Sequence, residues 1–159
     1  MKTLTKYAAA IGLILGLAVA PAEAAPFKTL HPLITGAPSV TATVSISQQR
    51  MILQVVDESG AAKTYIWKVS TGKAGYDTPT GDYGPTWLSP RHWSKKYDAP
   101  MPYAVFFHRG YAIHATGAVS RLGQPASHGC VRLAKDKAAM FFDLVKTYGK
   151  HTTKIVITD

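Results

Sequence analysis

Between Val40 and Ser70 the chain alternates apolar and polar residues in runs too short for helices. "VTATVSIS" (40–47) and "RMILQVV" (50–56) are separated by a "QQ" turn, and "DESGAA" (57–62) turns the chain again into "KTYIWKVS" (63–70). Period-two alternation rich in β-branched and aromatic residues predicts half-buried strands, because successive side chains point to opposite faces. Three such runs with turn residues between them commit this part of the chain to a β-meander. "YAVFFH" (103–108) and "YAIH" (111–114) continue the pattern around an Arg109-Gly110 turn, and "TKIVITD" (153–159) closes it. The exception is 135–149. There Ala138, Phe141, Phe142, Val145 and Tyr148 recur at helical spacing, and Gly149 stands where a C-terminal cap belongs. The expected class is mainly β with one packed helix.

Residues 71–102 break the alternation. They are crowded with Gly, Pro, Asp and Thr and read mostly as loop. A connection this long in a small domain is usually functional, which predicts a lid. Tyr83, Trp87, Trp93 and Tyr97 are the aromatic surfaces expected to cover a groove.

The amino terminus reads as an address. Lys2 and Lys6 precede the apolar stretch Tyr7 to Ala20, Pro21 breaks it, and "AEA" (22–24) supplies small residues for cleavage. The stretch is shorter than the roughly 20 residues a membrane span needs. Residues 1–24 are therefore expected to be a signal peptide and 25–39, with Pro26, Pro32 and Pro38, a linker or extended lead-in. Residues 40–159 are expected to be the functional domain. The chain has 18 Lys and Arg against 9 Asp and Glu, and the excess survives removal of the leader. A basic exported protein suits an anionic partner such as a carboxylate-rich cell wall, while nucleic acid and stable membrane insertion are not expected. The periplasm is the expected compartment, with secretion or wall association second.

An exported chain with a single cysteine, Cys130, cannot close an internal disulfide, so the thiol is either a buried apolar group or reactive. Its neighbours favour reactivity. A nucleophilic cysteine works as thiolate, and a nearby histidine is a common means of supplying one. His128 stands two residues before Cys130, so on an extended segment the two side chains would face one cleft. His114 ends a predicted strand, and a loop with Gly117, Gly123 and Pro125 can return the chain beside it. Gly129 permits a tight backbone in which adjacent amides point at one oxygen. Arg132 supplies a fixed cationic fork matched to a carboxylate. His114, His128 and Cys130 also have the donor types of a zinc site, but no CxxC or HExxH spacing supports a metal. His31, His92 and His151 are given no role, and that of His108 stays open.

"IHATGAVSRLGQPASHGCVRL" (113–133) resembles the catalytic signature of YkuD-type L,D-transpeptidases, a strand-ending histidine followed by Ser-His-Gly-Cys. "VSISQQRMILQV" and "VSTGKAGYDTPTGDY" resemble the opening strands and the TPTG segment of the same domain, so the likeness covers 40–159. Many members carry glycine where this chain has Ala115, a methyl group expected to alter the groove. The resemblance implies a β-sandwich-like fold with the thiol in a groove under a lid. It also implies Cys130 as nucleophile, His114 as general base oriented by the Ala115 carbonyl, and an oxyanion cradle of the Gly129 and Cys130 amides with His128. On the substrate side it implies Arg132 as a carboxylate ligand and Ser127 as a residue shaping the motif loop. The implied reaction releases D-alanine from a peptidoglycan stem tetrapeptide through a Cys130 thioester and forms a 3–3 cross-link, with no cofactor. Hydrolysis by the same site, attachment of an outer-membrane protein as acceptor, and a non-catalytic wall-binding module are the competing readings.

Overall fold

The computed structural model describes residues 37–159; the expected leader and most of the lead-in lie outside the described residues. Alternation in the sequence becomes alternation in burial. Strand β1 (Ser39–Ser45) buries Val40, Ala42 and Val44, and β2 (Arg50–Val56) buries Met51, Leu53 and Val55. They pair antiparallel, Ser45 opposite Arg50, and β3 (Ala62–Lys68) continues the meander. The 57–62 turn is closed by the Asp57 carboxylate, which accepts from the amides of Ser59 and Ala61. The first turn is longer than the expected two residues. Ile46 and Ser47 leave the ladder, and Gln49 takes a left-handed φ of 50°.

Strand β9 (Thr153–Thr158) inserts parallel to β1, and the short β4 (Gly81–Tyr83) pairs on its far side. One sheet therefore runs β3-β2-β1-β9-β4. A second runs β5-β6-β7-β8, from β5 (Trp87–Ser94), β6 (Ala99–His108), β7 (Tyr111–Ala115) and β8 (Val131–Leu133). Helix α1 (Lys135–Tyr148) buries Ala138, Phe141, Phe142 and Val145 into the same core as β1, β2, β7 and β9. Gly149, φ 96°, caps it by donating to the Val145 carbonyl. Phe141 is fully buried there, and truncation of such a ring to alanine costs about 3–5 kcal/mol. The mainly β class with one helix among the described residues stands as expected.

Of the expected loop 71–102, the part from Trp87 onward is instead a hairpin, while the part before it keeps only the short strand β4. β5 and β6 pair from Trp87–Phe106 to Ser94–Ala99, with residues 95–98 as the tip. Prolines concealed it. Pro90 lies on an edge strand, and Pro100 and Pro102 lie where β6 has only β5 as neighbour, since β7 joins β6 from Val105 onward. A missing N–H is tolerated on an unpaired flank. The Arg109-Gly110 turn between β6 and β7 forms as read, with Arg109 at φ 46°.

Candidate active site

β7 and β8 run parallel and set His114 beside Arg132, with Ile113 beside Val131. Ile113, Ala115, Val131 and Leu133 face the main core. His114 and Arg132 therefore point to the opposite face, where Cys130 joins a cluster with Met101, Ala104, Phe106 and Ala112. His114, His128, Cys130 and Arg132 all border one cavity of about 290 Å3, roofed by Tyr97, Ala99 and Pro100 of the hairpin. The Ala115 methyl lies in the core and not in the groove, so the substitution expected to alter the groove leaves it untouched.

His114 is buried, and its Nδ1 lies 2.7 Å from the Ala115 carbonyl oxygen. A carbonyl only accepts, so Nδ1 carries the proton and Nε2 keeps a free lone pair. Burial pushes the imidazole pKa down to about 4, against the Ala115 bond, which raises it; Arg132 and His92 add to the depression. The half-buried Cys130 sulfur sits 3.9 Å from the Gly110 carbonyl. Burial pushes its pKa above the ordinary value, only partly offset by the Ala112 amide and Arg132. Both shifts favour the uncharged forms, because a low-dielectric site penalises each charge. The thiol and imidazole thus rest as a neutral pair, and not as the ready thiolate expected from sequence. Nε2 is left unprotonated, the state a general base requires.

The loop carrying the thiol is held by its own short side chains. The Ser127 hydroxyl, fully buried, donates to the Cys130 carbonyl at 2.6 Å and accepts from the Gly129 amide at 2.9 Å. Ser127 therefore shapes the loop and has no side-chain atom left for substrate. The Gly129 amide is likewise engaged, so it is not a free oxyanion donor as expected. The Cys130 amide meets no acceptor among the described residues. Gly129 has φ 106°, and a Cβ there would run into the Tyr111 ring. This left-handed residue also means that 128–130 is a turn and not the extended segment expected. His128 nevertheless reaches the cavity, clasped between Tyr76, edge-on at 4.5 Å, and Tyr97, stacked at 4.8 Å.

Two further residues hold this loop, Thr78 of the TPTG segment and Gln49 of the first turn, and neither was assigned a role from sequence. The Thr78 hydroxyl donates to the Gly129 carbonyl and accepts from the Gly72 amide, both at 2.9 Å. Gln49 clamps Thr71 by side chain and backbone, and the Thr71 carbonyl in turn receives the amides of Ala126 and Ser127. The lid aromatics divide their labour. Tyr97 borders the cavity, whereas Trp87 stacks on Phe106, Trp93 bonds Asp98, and Tyr83 packs on Phe107. His92 packs against Trp87 and Phe106, and His108 against Tyr83 and Tyr111.

The model of the YkuD family, the L,D-transpeptidase catalytic domain, matches residues 39–157. The chain belongs to that family. It is 30% identical over 110 residues to a probable L,D-transpeptidase, YbiS, of Escherichia coli K12, covering 54% of this chain and 36% of that protein. Among solved structures it is similar to an L,D-transpeptidase of Stackebrandtia nassauensis, at 25% identity and TM-score 0.63, covering 84% of this chain and 62% of that one. L,D-transpeptidase 3 of Mycobacterium tuberculosis, in complex with a faropenem-derived adduct, shares the fold at 20% identity and TM-score 0.66, covering 77% and 61%. The chain thus spans about a third of the curated relative and some three-fifths of the two structures. Its fold, two mixed sheets and one helix among the described residues, is that of L,D-transpeptidase catalytic domains.

Proposed function

We propose that this protein is an exported, cysteine-dependent L,D-transpeptidase acting on peptidoglycan stem tetrapeptides in the periplasm. The observation that carries the reading is one cavity bordered by a half-buried thiol, a guanidinium and an imidazole whose free nitrogen is fixed by the Ala115 carbonyl. In the first half-reaction His114 Nε2 takes the Cys130 proton as sulfur attacks the carbonyl carbon of the third stem residue. The S–C bond forms, the C–N bond to the terminal D-alanine breaks, and the imidazolium returns its proton to the leaving amine. In the second, an amine of another stem attacks the thioester, its proton passes to His114, and the C–S bond breaks to restore the thiol and give a 3–3 cross-link. The Cys130 amide and the His128 ring N–H are the oxyanion donors, replacing the Gly129 amide that Ser127 occupies. Arg132 has no carboxylate partner among the described residues and binds a carboxylate of the donor stem. The chemistry requires no cofactor. No helix among the described residues is long and apolar enough to cross a membrane.

Product analysis by mass spectrometry on a disaccharide-tetrapeptide tests the reading. Cross-linked dimers with released D-alanine are expected; tripeptides alone would make water the acceptor. A protein amine as acceptor would appear as a stem-modified envelope protein. The faropenem-derived adduct on the Mycobacterium tuberculosis relative supports a second probe. Intact-mass measurement after faropenem treatment is expected to show acylation at Cys130 and none in Cys130→Ala; an unmodified thiol would leave only a wall-binding module.

A further inference from the structure

Four residues stand in one line across the second sheet. Trp87 of β5 lies opposite Phe106 of β6, and Phe106 opposite Ala112 of β7. Cys130 precedes Val131, whose parallel partner is Ile113, so it comes level with Ala112. Directly opposed residues share a face, and Phe106, Ala112 and Cys130 belong to one cluster outside the main core. The line therefore runs over the face that carries the thiol, from the sulfur to the free edge of the sheet at β5. It crosses three strand spacings, about 14 Å.

Trp87 ends this line as a fixed aromatic plate. Its ring stacks on Phe106 at 4.5 Å and 9°, and His92 stands nearly perpendicular to both rings, at 5.4 Å from Trp87 and 4.9 Å from Phe106. Held on one side by two neighbours, the residue still leaves 47% of its surface to solvent. It borders neither depression beside the thiol, so the proposed chemistry gives it no task. Its indole N–H meets no acceptor among the described residues, whereas that of Trp93 donates to Asp98. A flat apolar face with a free donor at its rim matches a ligand that is itself flat, apolar on its face and polar around its edge. A hexopyranose ring has that form.

The proposed chemistry, on which this inference rests, supplies such a ring. His114 gives its proton to the leaving amine and takes one from the incoming amine, so both amines pass on the His114 side. The line to Trp87 leaves the sulfur at the level of Ala112, about 7 Å short of His114 along β7. The three residues kept on sulfur reach about 10 Å when extended, and the stem hangs from a sugar of the glycan strand. A stem laid along the line brings that sugar to the edge where Trp87 stands.

We propose that Trp87 is a stacking platform for the sugar that carries the donor stem. The substrate class is thereby narrowed to stems still linked to glycan, in preference to free stem peptides.

Calorimetric titration of the Cys130→Ala protein with disaccharide-tripeptide and with free tripeptide tests this without turnover. The linked form is expected to bind about tenfold tighter, the worth of about 50 Å2 of apolar surface taken from water. Raising the salt should leave that advantage in place, because no charge carries it. In the same background it should vanish in Trp87→Leu, which still covers Phe106 but offers no plate, and persist in Trp93→Leu. Trp87→Phe keeps the stack with a smaller ring and no N–H, and should retain an intermediate advantage. The ratio of the two affinities is the readout, so a packing defect that weakens both ligands alike cancels. An advantage unchanged in both Trp87 variants, one that disappears with Trp93 instead, or none at all would overturn the assignment. The outcome is separable from that of the proposed function, because acyl-enzyme formation on disaccharide-tetrapeptide is read on the unaltered protein. Acylation without discrimination between the two ligands sinks only the sugar platform, and discrimination without acylation sinks only the transpeptidase reading.

Discussion

Acidification should unfold this domain partly through one ring. His114 is buried with a pKa lowered to about 4 from an ordinary 6.5. Between those values the unfolded chain holds a proton on this residue that the folded chain refuses, so stability rises with pH across the window and is lost as pH falls through it. A gap of this size corresponds to about 3 kcal/mol in full. Taking the sample from pH 7 to pH 4.5 should release about 2 kcal/mol of it, because the window is not completely crossed. Urea unfolding followed by tryptophan fluorescence at the two pH values measures the loss. His114→Asn is the control, since the asparagine amide nitrogen stands where Nδ1 does and can still donate to the Ala115 carbonyl but does not titrate. Asp57 and Asp136 also have lowered pKa values, from their bonds to Ser59 and Lys137, and lose stability in the same direction. Those contributions are common to both proteins and cancel in the difference. If the variant lost as much stability as the parent, the buried neutral imidazole would not be the proton acceptor, and the assignment of Nε2 as resting base would fall with it.

The neutral pair has a kinetic signature. Alkylation of Cys130 by iodoacetamide should climb about tenfold per pH unit from pH 6 to 8, as for a thiol with a raised pKa, where a preformed thiolate would give a plateau. Thr78→Val keeps the shape of the side chain but strands the Gly72 amide and the Gly129 carbonyl. It should cost about 2 kcal/mol in urea melts and slow acylation by faropenem; unchanged values for both would remove Thr78 from the loop's support.

The meander was legible because one face of the first sheet is solvated. Val40, Ala42 and Val44 alternate with polar residues for that reason, and the helix was legible because Ala138, Phe141, Phe142 and Val145 form one buried stripe. The β5–β6 hairpin was not, since Pro90, Pro100 and Pro102 read as loop and only the sheet order shows that their flanks are unpaired. At the site, the residue types around Cys130 were readable, and the Ala115 carbonyl lies against His114 as the family resemblance implied. Their charge states were not, because desolvation depends on packing by Met101, Ala104 and Phe106 of β6, a strand whose first half and whose pairing with β5 the sequence did not reveal. Thr78 stands in the TPTG segment that carried the resemblance, but neither its role nor that of Gln49 was readable. A glutamine in a turn and a threonine in a loop look the same whether they face water or a backbone amide far along the chain.

The parallel pairing of β1 with β9 has a consequence for the order of events in synthesis. The place between β1 and β4 in the first sheet is filled by β9, so β1 finds its antiparallel neighbour β2 at once but gains its parallel neighbour only when nearly the whole domain has been made. Until then α1 has no completed floor to settle on. Pairing across that sequence separation makes completion of the first sheet a late step in folding.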